Sequence, residues 1–278
     1  MIDVSEQDAF VEIPLVGVGF RKPLADWILS KPNSLDCVEL TAEHFFDGGE
    51  TTLDRLRDLY PLSVHGLGLS LGTPGALDQV ALKQFRRVAD LADARWISEH
   101  IAFTKTDDVD LGHLNPVPLT KNSLDVLISH ARQVMDECQR PLILENITSY
   151  LRVPEKIEET DFINQLCETA GVGLLLDVTN LYINSRNHRF DALEWLHGVE
   201  PSVIKQLHIV GYSYQDGVWH DRHSERIQDE LLELAEEVIS YAPVESIIIE
   251  RDGAFPPSAE LQMELDRVEG VCEKARCG

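Results

Sequence analysis

The sequence predicts an α/β protein built as a single (β/α)8 barrel, and three observations carry that prediction. Eight short apolar runs alternate with eight segments of helical periodicity along 278 residues, and strict alternation points to parallel strands. Eight such units in this length match a closed barrel of the TIM type. No GxGxxG follows an early strand, because GVGF at 17–20 lacks the remaining glycine and the helix-opening context; this disfavours the alternative, an open doubly wound sheet.

The elements follow in order. Residues 1–12 are polar and irregular and read as a loose arm on one domain spanning 1–278. PLVGVGF (14–20) is the first strand, with Gly17 and Gly19 allowing close backbone approach. KPLADWILSK has helical spacing, DCVEL (36–40) is the second strand and ETTLDRLRDLY (50–60) the next helix. PLSVHGLGLSLG (61–72) carries the third strand and a glycine-rich turn, followed by an amphipathic helix over 76–94. RWISEHIAF (95–103) is the fourth strand. The long loop TKTDDVDLGHLNPVPLT then precedes a helix over 121–138, and loops of that length usually serve function. PLILE (141–145) is a proline-bounded apolar run, the signature of a strand buried on both faces. A helix over 155–170, a sixth strand over 172–182, a helix near 190–198 and a seventh strand over 203–213 come next. The loop YQDGVWHDRH, a helix over 224–241, the eighth strand SIIIERDGAFP (246–256) and a helix over 258–275 complete the chain.

Composition narrows the function classes. The formal net charge of −24 makes a nucleic-acid backbone a poor ligand and suits either plain solubility or a basic protein or peptide partner. The five cysteines are odd in number, scattered and without a CxxC, which argues for a reduced compartment and against a disulfide framework or a structural zinc site. Cys37, Cys138 and Cys167 read as core fillers, and Cys272 and Cys277 as residues of a frayed end. No apolar run is long enough to span a bilayer and the N-terminus has no secretory pattern, so no membrane role and a cytoplasmic location are expected.

Seven of the eight strands carry Glu, His or Asp at or near their C-terminal end: Glu39, His65, His100, Glu145, Asp177, His208 and Glu250. In a barrel those ends converge on the face where active sites lie. One buried carboxylate reads as an ion pair, but seven carboxylates and imidazoles with little cation beside them read as metal ligands. Such a set without thiolates suits Fe, Mn or Zn. It exceeds the needs of one octahedral ion, so more than one metal is expected, with a carboxylate such as Glu145 able to bridge. The segment after strand seven adds His220, Asp221 and His223. Asn146 and Asn180 are expected to hold ligand carboxylates by hydrogen bonds, with turn capping an equal alternative. Asp252 is a candidate proton acceptor, and Arg251 beside it permits a salt-bridge reading instead. His44, His113, His130, His188 and His197 fall in helices or loops and read as structural.

The segments SVHGLGLSLG, SEHIAF, LNPVPLT, LILENITSYL, LLLDVTNLYINSRNH, LHIVGYS, DRH and IIIERDGAFP together resemble the multinuclear non-heme iron-dependent oxidative enzymes, formerly the DUF692 family. ENxxSYL and DVxNxY are the specific motifs, and the resemblance covers the first strand through the eighth. It implies a barrel enzyme with two or three iron ions (Fe2+/Fe3+) that uses O2 to modify a cysteine in a ribosomally made peptide, by β-carbon excision or an oxazolone–thioamide rearrangement. It also implies a small partner protein that recognises the precursor peptide. The family pattern makes His65, His100, Glu145, Asp177, His208, Asp221, His223 and Glu250 the ligands and gives Asp252 a proton-transfer role. Two departures stand out. Tyr212 occupies a position where many members have His, and Arg251 one where a Trp is common, which suggests a different substrate charge.

Residue spacing alone leaves other classes open. A sugar isomerase or a trinuclear-zinc phosphodiesterase also places His, Glu and Asp on strand ends. The first would want a lysine near the metals, and Lys205 lies three residues before His208. The second would want a basic face. A non-catalytic metal-binding docking module is the third alternative.

Overall fold

Four to six residues make each barrel strand, and in each one the apolar side chains at alternate positions face outward to the helices. The computed structural model describes residues 13–106, 109–151 and 156–277; the expected N-terminal arm lies outside them, as does residue 155 of the expected fifth helix. The first half contains β1 (Leu15–Gly19), α1 (Ala25–Leu29), β2 (Cys37–Thr41), α2 (Glu50–Leu59), β3 (Leu62–His65), α3 (Gln79–Leu91) and β4 (Ile97–His100). A two-stranded insert, β5 (Ala102–Lys105) and β6 (Asp110–Pro116), precedes α4 (Lys121–Cys138), β7 (Leu142–Glu145) and α5 (Glu159–Ala170). Then come β8 (Gly173–Asp177), α6 (Val178–His188), α7 (Ala192–Gly198) and β9 (Ile204–Ile209). A second insert, β10 (Gly211–Gln215) with β11 (Val218–Glu225), is followed by α8 (Asp229–Tyr241), β12 (Ser246–Ile249) and α9 (Ser258–Cys277).

The barrel closes in the order β1-β12-β9-β8-β7-β4-β3-β2, all pairings parallel. Side chains alternate across each strand, which explains the core. Leu142, Leu144, Leu174, Leu176, Leu207, Ile247 and Ile249 join the cluster packed under the helices. Each fully buried aliphatic side chain of this kind contributes about 1.5–3 kcal/mol. Their neighbours Ile143, Leu175 and Ile248 belong to the other face, the barrel interior, together with the polar residues at strand ends. Gly17 is required by a close approach, since a Cβ there would lie 2.6 Å from the Cys37 carbonyl oxygen. Gly19 differs from expectation, because the room it leaves is taken by the Arg21 side chain rather than by backbone.

Three expected elements change form. The sixth strand stops at Asp177, and the β-branched and aromatic VTNLY that follows opens α6 instead. Asp177 caps that helix, its Oδ1 accepting the Asn180 N–H at 2.7 Å, and the cap outweighs a local strand preference. The seventh strand divides at Val210, and the expected loop carrying Asp221 and His223 is the antiparallel β10–β11 ribbon. The long segment after β4 likewise forms an antiparallel ribbon. At the C-terminus, Cys272 is fully buried in α9 rather than frayed; Cys37, Cys138 and Cys167 are buried and unpaired, as expected.

Candidate metal centre

Parallel register brings the strand-end residues to one level. His100 pairs with Glu145, Asp177 with His208, and Thr41 with His65. All six of His65, His100, Glu145, Asp177, His208 and Glu250 are buried. They fall into three overlapping groups able to hold a metal ion: His65, His100 and Glu145; Glu145, Asp177, His208 and Glu250; and His223, Glu250 and Asp252. Glu145 is shared by the first two groups and Glu250 by the last two.

Glu145 Oε2 is the focus. It is buried without a hydrogen bond, yet three imidazole nitrogens surround it: His100 Nε2 at 3.3 Å, His65 Nε2 at 3.4 Å and His208 Nδ1 at 3.6 Å. Those separations exceed good hydrogen bonds and suit ligand atoms arranged around a common cation. Asp177 Oδ2 is also buried and unbonded. Orphaned acceptors of this kind are costly unless a cation receives them. The donor set, imidazole and carboxylate, suits Fe, Mn or Zn, so the residues fit metal binding.

For His65 and His208 the opposite ring nitrogen is held from behind, as suits a ligating histidine, whereas His100 Nδ1 is buried without a hydrogen bond. His65 Nδ1 lies 2.8 Å from Ser98 Oγ. His208 Nε2 lies 2.7 Å from Glu39 Oε1, whose other oxygen accepts from Gln206 Nε2 at 2.5 Å. Glu39 therefore sits one layer below the ligands and supports His208. His223 has φ +48, a left-handed conformation uncommon for non-glycine residues. Its Nε2 lies 3.0 Å from Asp221 Oδ2 and its Nδ1 2.9 Å from Asp252 Oδ2. The ribbon is tied to the barrel there, since the Asp252 N–H donates to the His223 carbonyl at 2.8 Å.

Charge is out of balance. Burial alone would lower each histidine and raise each carboxyl. For His208 that burial is outweighed by Glu39, Glu250 and Glu145, which hold it well above its usual range. For His100 burial is likewise outweighed, by Glu145 and Glu99, which raise it to about 9. Burial also opposes ionisation of Glu250, but His208 and His223 hold it well below the usual carboxylate range. Asp177 goes the other way: burial, then Glu145 and Asp221, push it well above that range. Among the described residues, the guanidinium that pairs with this set of carboxylates is that of Arg21, and it pairs with Glu250 and Asp252.

Several side chains depart from the expected roles. Asn146 and Asn180 hold backbone rather than carboxylates: Asn146 accepts from the Asp177 N–H and donates to its carbonyl, and Asn180 Nδ2 donates to the Asn146 carbonyl. Only the backbone N–H of Asn180 reaches the Asp177 carboxylate. Asp221 holds His223 through Oδ2 and keeps Oδ1 buried without a hydrogen bond, while Asp252 falls inside the third group. Tyr212 points to α8, its hydroxyl donating to Glu230 at 2.5 Å and its ring stacked on Tyr182. Arg251 turns away from the cluster to bond Glu264 and the Ser224 carbonyl, so its charge is internal and not offered to a substrate. The His220 ring lies beside Tyr150. His130 bonds the carbonyls of Leu71 and Gly75 and is structural, as expected.

Sequence reasoning missed four contributors. Arg21 is the salt-bridge partner of both Glu250 and Asp252; Arg251 is not. Ser98 and Gln206 are neutral residues inside strands with no strand-end signal. Glu99 faces outward, its Oε1 accepting the Leu69 N–H at 2.7 Å and so fixing the turn after β3. Beside the cluster, above β4 and β7, lies a cavity of about 390 Å³ that includes Ile101, Asn146 and Ile147 and is rimmed by Glu158, Asp191 and Glu194.

Comparison with known proteins agrees with this geometry. The family model described as "RiPP precursor modification enzyme MbnB/TglH/ChrH" matches residues 15–273. A protein of Chromobacterium violaceum named only "UPF0276 protein" is 34% identical over 258 residues, covering 92% of this chain and 94% of its own. A like-named protein of Rhizorhabdus wittichii is 32% identical over 256 residues, covering 90% and 92%. Among solved structures, an L-ribulose 3-epimerase superposes with TM-score 0.64 at 11% identity over 95% of this chain and 96% of its own. A xylose isomerase domain protein from Planctomyces limnophilus gives 0.61 at 13% over 96% and 100%. At such identities these structures bear on the fold alone.

Proposed function

Because the chain belongs to the RiPP precursor modification enzyme family MbnB/TglH/ChrH, we propose that it is an iron-dependent oxidative enzyme that uses O2 to modify a cysteine of a ribosomally made precursor peptide. The observation that carries the metal part of this reading is the unbonded, buried Glu145 Oε2 inside a ring of three imidazole nitrogens. His65, His100, Glu145, Asp177, His208 and Glu250 would hold the ions, with His223 and Asp221 closing the open side. Iron bound there would supply a thiolate-accepting, redox-active Lewis acid.

The chain's own residues do the rest. Glu145 spans two groups and would fix the spacing of their ions. Glu39 and Ser98 orient His208 and His65. Asp252, half-exposed at the edge of the cluster, would take a proton from the substrate on the solvent side. A peptide is supported by the cavity next to Asn146 and by exposed Leu67, Val109, Tyr150, Leu151 and Tyr214, all on segments above the metal face. Such apolar rims suit peptide or protein contacts, including a small partner protein that presents the precursor.

The test is a purified, iron-loaded protein assayed by mass spectrometry with a cysteine-bearing precursor and its partner. A change in peptide mass is expected in air and none under anaerobic conditions; turnover without O2 would overturn the reading. A sugar isomerase on this barrel gains no support from Lys205, which pairs with Glu245 away from the cluster.

A further inference from the structure

Seven barrel strands bring a carboxylate or imidazole to the metal face, and the eighth brings a cation. After β1 the chain runs Gly19–Phe20–Arg21, and the Arg21 side chain is only 10% exposed. Its Nε lies 2.5 Å from Asp252 Oδ1, its Nη2 3.2 Å from Glu250 Oε1, and its Nη1 donates to the Phe20 carbonyl at 3.0 Å. Gly19 leaves the space, since a Cβ there would sit 3.0 Å from Nη1. Glu250 and Asp252 are two of the three members of the third metal group. Arg21 takes Glu250 Oε1 and leaves Oε2 facing His208 at 3.1 Å and His223 at 3.6 Å. Among the described residues, no lysine or arginine pairs with Glu145 or Asp177.

The three groups are thus unequal. The first two hold buried oxygens with no hydrogen bond, Glu145 Oε2 and Asp177 Oδ2; in the third, a guanidinium lies at hydrogen-bond distance from both carboxylates, one of which, Glu250, is shared with the second group. A guanidinium is permanently charged, and a metal ion entering that group would meet it at close range and displace it from partners it cannot find elsewhere in a buried position.

We propose that Arg21 is the built-in cation of the third group, so that this centre holds two tightly bound metal ions, in the two groups that share Glu145, and keeps Asp252 off the metals. The inference rests on the reading of the cluster as a metal centre. It assigns Arg21 a positioning role, acting through Glu250 and Asp252 rather than on substrate.

The experiment counts ions. Full-length protein is loaded anaerobically with Fe2+, and separately with Mn2+ as a probe that needs no redox chemistry. It is then desalted and analysed for metal, with calorimetric titration for affinity. Two tight ions are expected in the wild type. Arg21→Gln is expected to gain a third, its affinity rising by about tenfold or more once the like charge is removed. Three tight ions in the wild type, or a folded R21Q that still holds two or fewer, would overturn the proposal. Should R21Q fail to fold by circular dichroism, Asp252→Asn decides: the count stays at two if Arg21 fills the group and drops by one if Asp252 is a ligand, which also overturns it. A wild-type count below two removes the metal centre itself and the inference with it. Two ions without O2-dependent peptide chemistry would leave Arg21's role intact and overturn only the proposed function.

Discussion

Glu39 shows how a single residue below the ligands governs the centre. Its Oε1 fixes His208 Nε2 at 2.7 Å, which reserves Nδ1 for the metal side. Partners of this kind are worth about 10–100-fold in metal affinity. Glu39→Gln is therefore expected to weaken binding by that order without loss of helical signal, checked by competition against a chelator of known affinity. Protons compete at the same residues. His100, raised to about 9 by Glu145 and Glu99 against the effect of burial, carries a proton at neutral pH in the metal-free protein and must lose it to bind. Affinity should then rise with pH up to about that value and fall on acidification, by up to about tenfold per pH unit for each proton displaced. Titration in buffers of different ionisation enthalpy measures that proton release. At this scale the sequence was legible where a ligand type sat on a strand end: Glu145, His208 and the other five needed only the period-2 pattern and the barrel to converge. Arg21 was not legible, because GFRKPL reads locally as the approach to a helix. Neither were Ser98 and Gln206, whose importance comes only from the register that sets them under His65 and His208.

At the scale of elements, two devices shape the site. The first is the β8–α6 junction, where Asp177 divides its carboxylate between two tasks: Oδ1 caps α6 and Oδ2 is turned inward. Asparagine caps helices about as well as aspartate, and burial already pushes the Asp177 carboxyl toward its neutral form without metal. Asp177→Asn should change metal-free stability by less than about 1 kcal/mol while losing one metal ion. Denaturant unfolding and metal analysis check the two halves separately, and equal loss of both would refute the division. The second device is the β10–β11 ribbon, which carries His223 over the barrel mouth with a left-handed backbone. The two inserted ribbons read as loops in the sequence because their residues are half-exposed and lack a continuous apolar face. The β10–β11 pairing follows from the turn that closes it, where Asp216 and Gly217 both have positive φ. VTNLY misled in the other direction, its β-branched and aromatic residues favouring a strand until the Asp177 cap is taken into account.

For the whole molecule, the barrel closes because eight outward-facing apolar half-strands pack under helices. That arrangement frees the interior to hold polar residues at one end. Strict alternation made this architecture readable from the sequence alone. No helix among the described residues is long and apolar enough to cross a membrane. The net charge of −24 and the apolar residues above the metal face together suit a basic peptide or partner. What unites strand order, register and burial is one oxygen, Glu145 Oε2, at which β3, β4, β7 and β9 meet. The most direct test is the iron-to-protein ratio of Glu145→Ala beside the wild type, both loaded anaerobically and both shown folded by circular dichroism. A shared ligand predicts loss of more than one ion from the variant. Loss of a single ion, or none, would contradict a centre organised around Glu145.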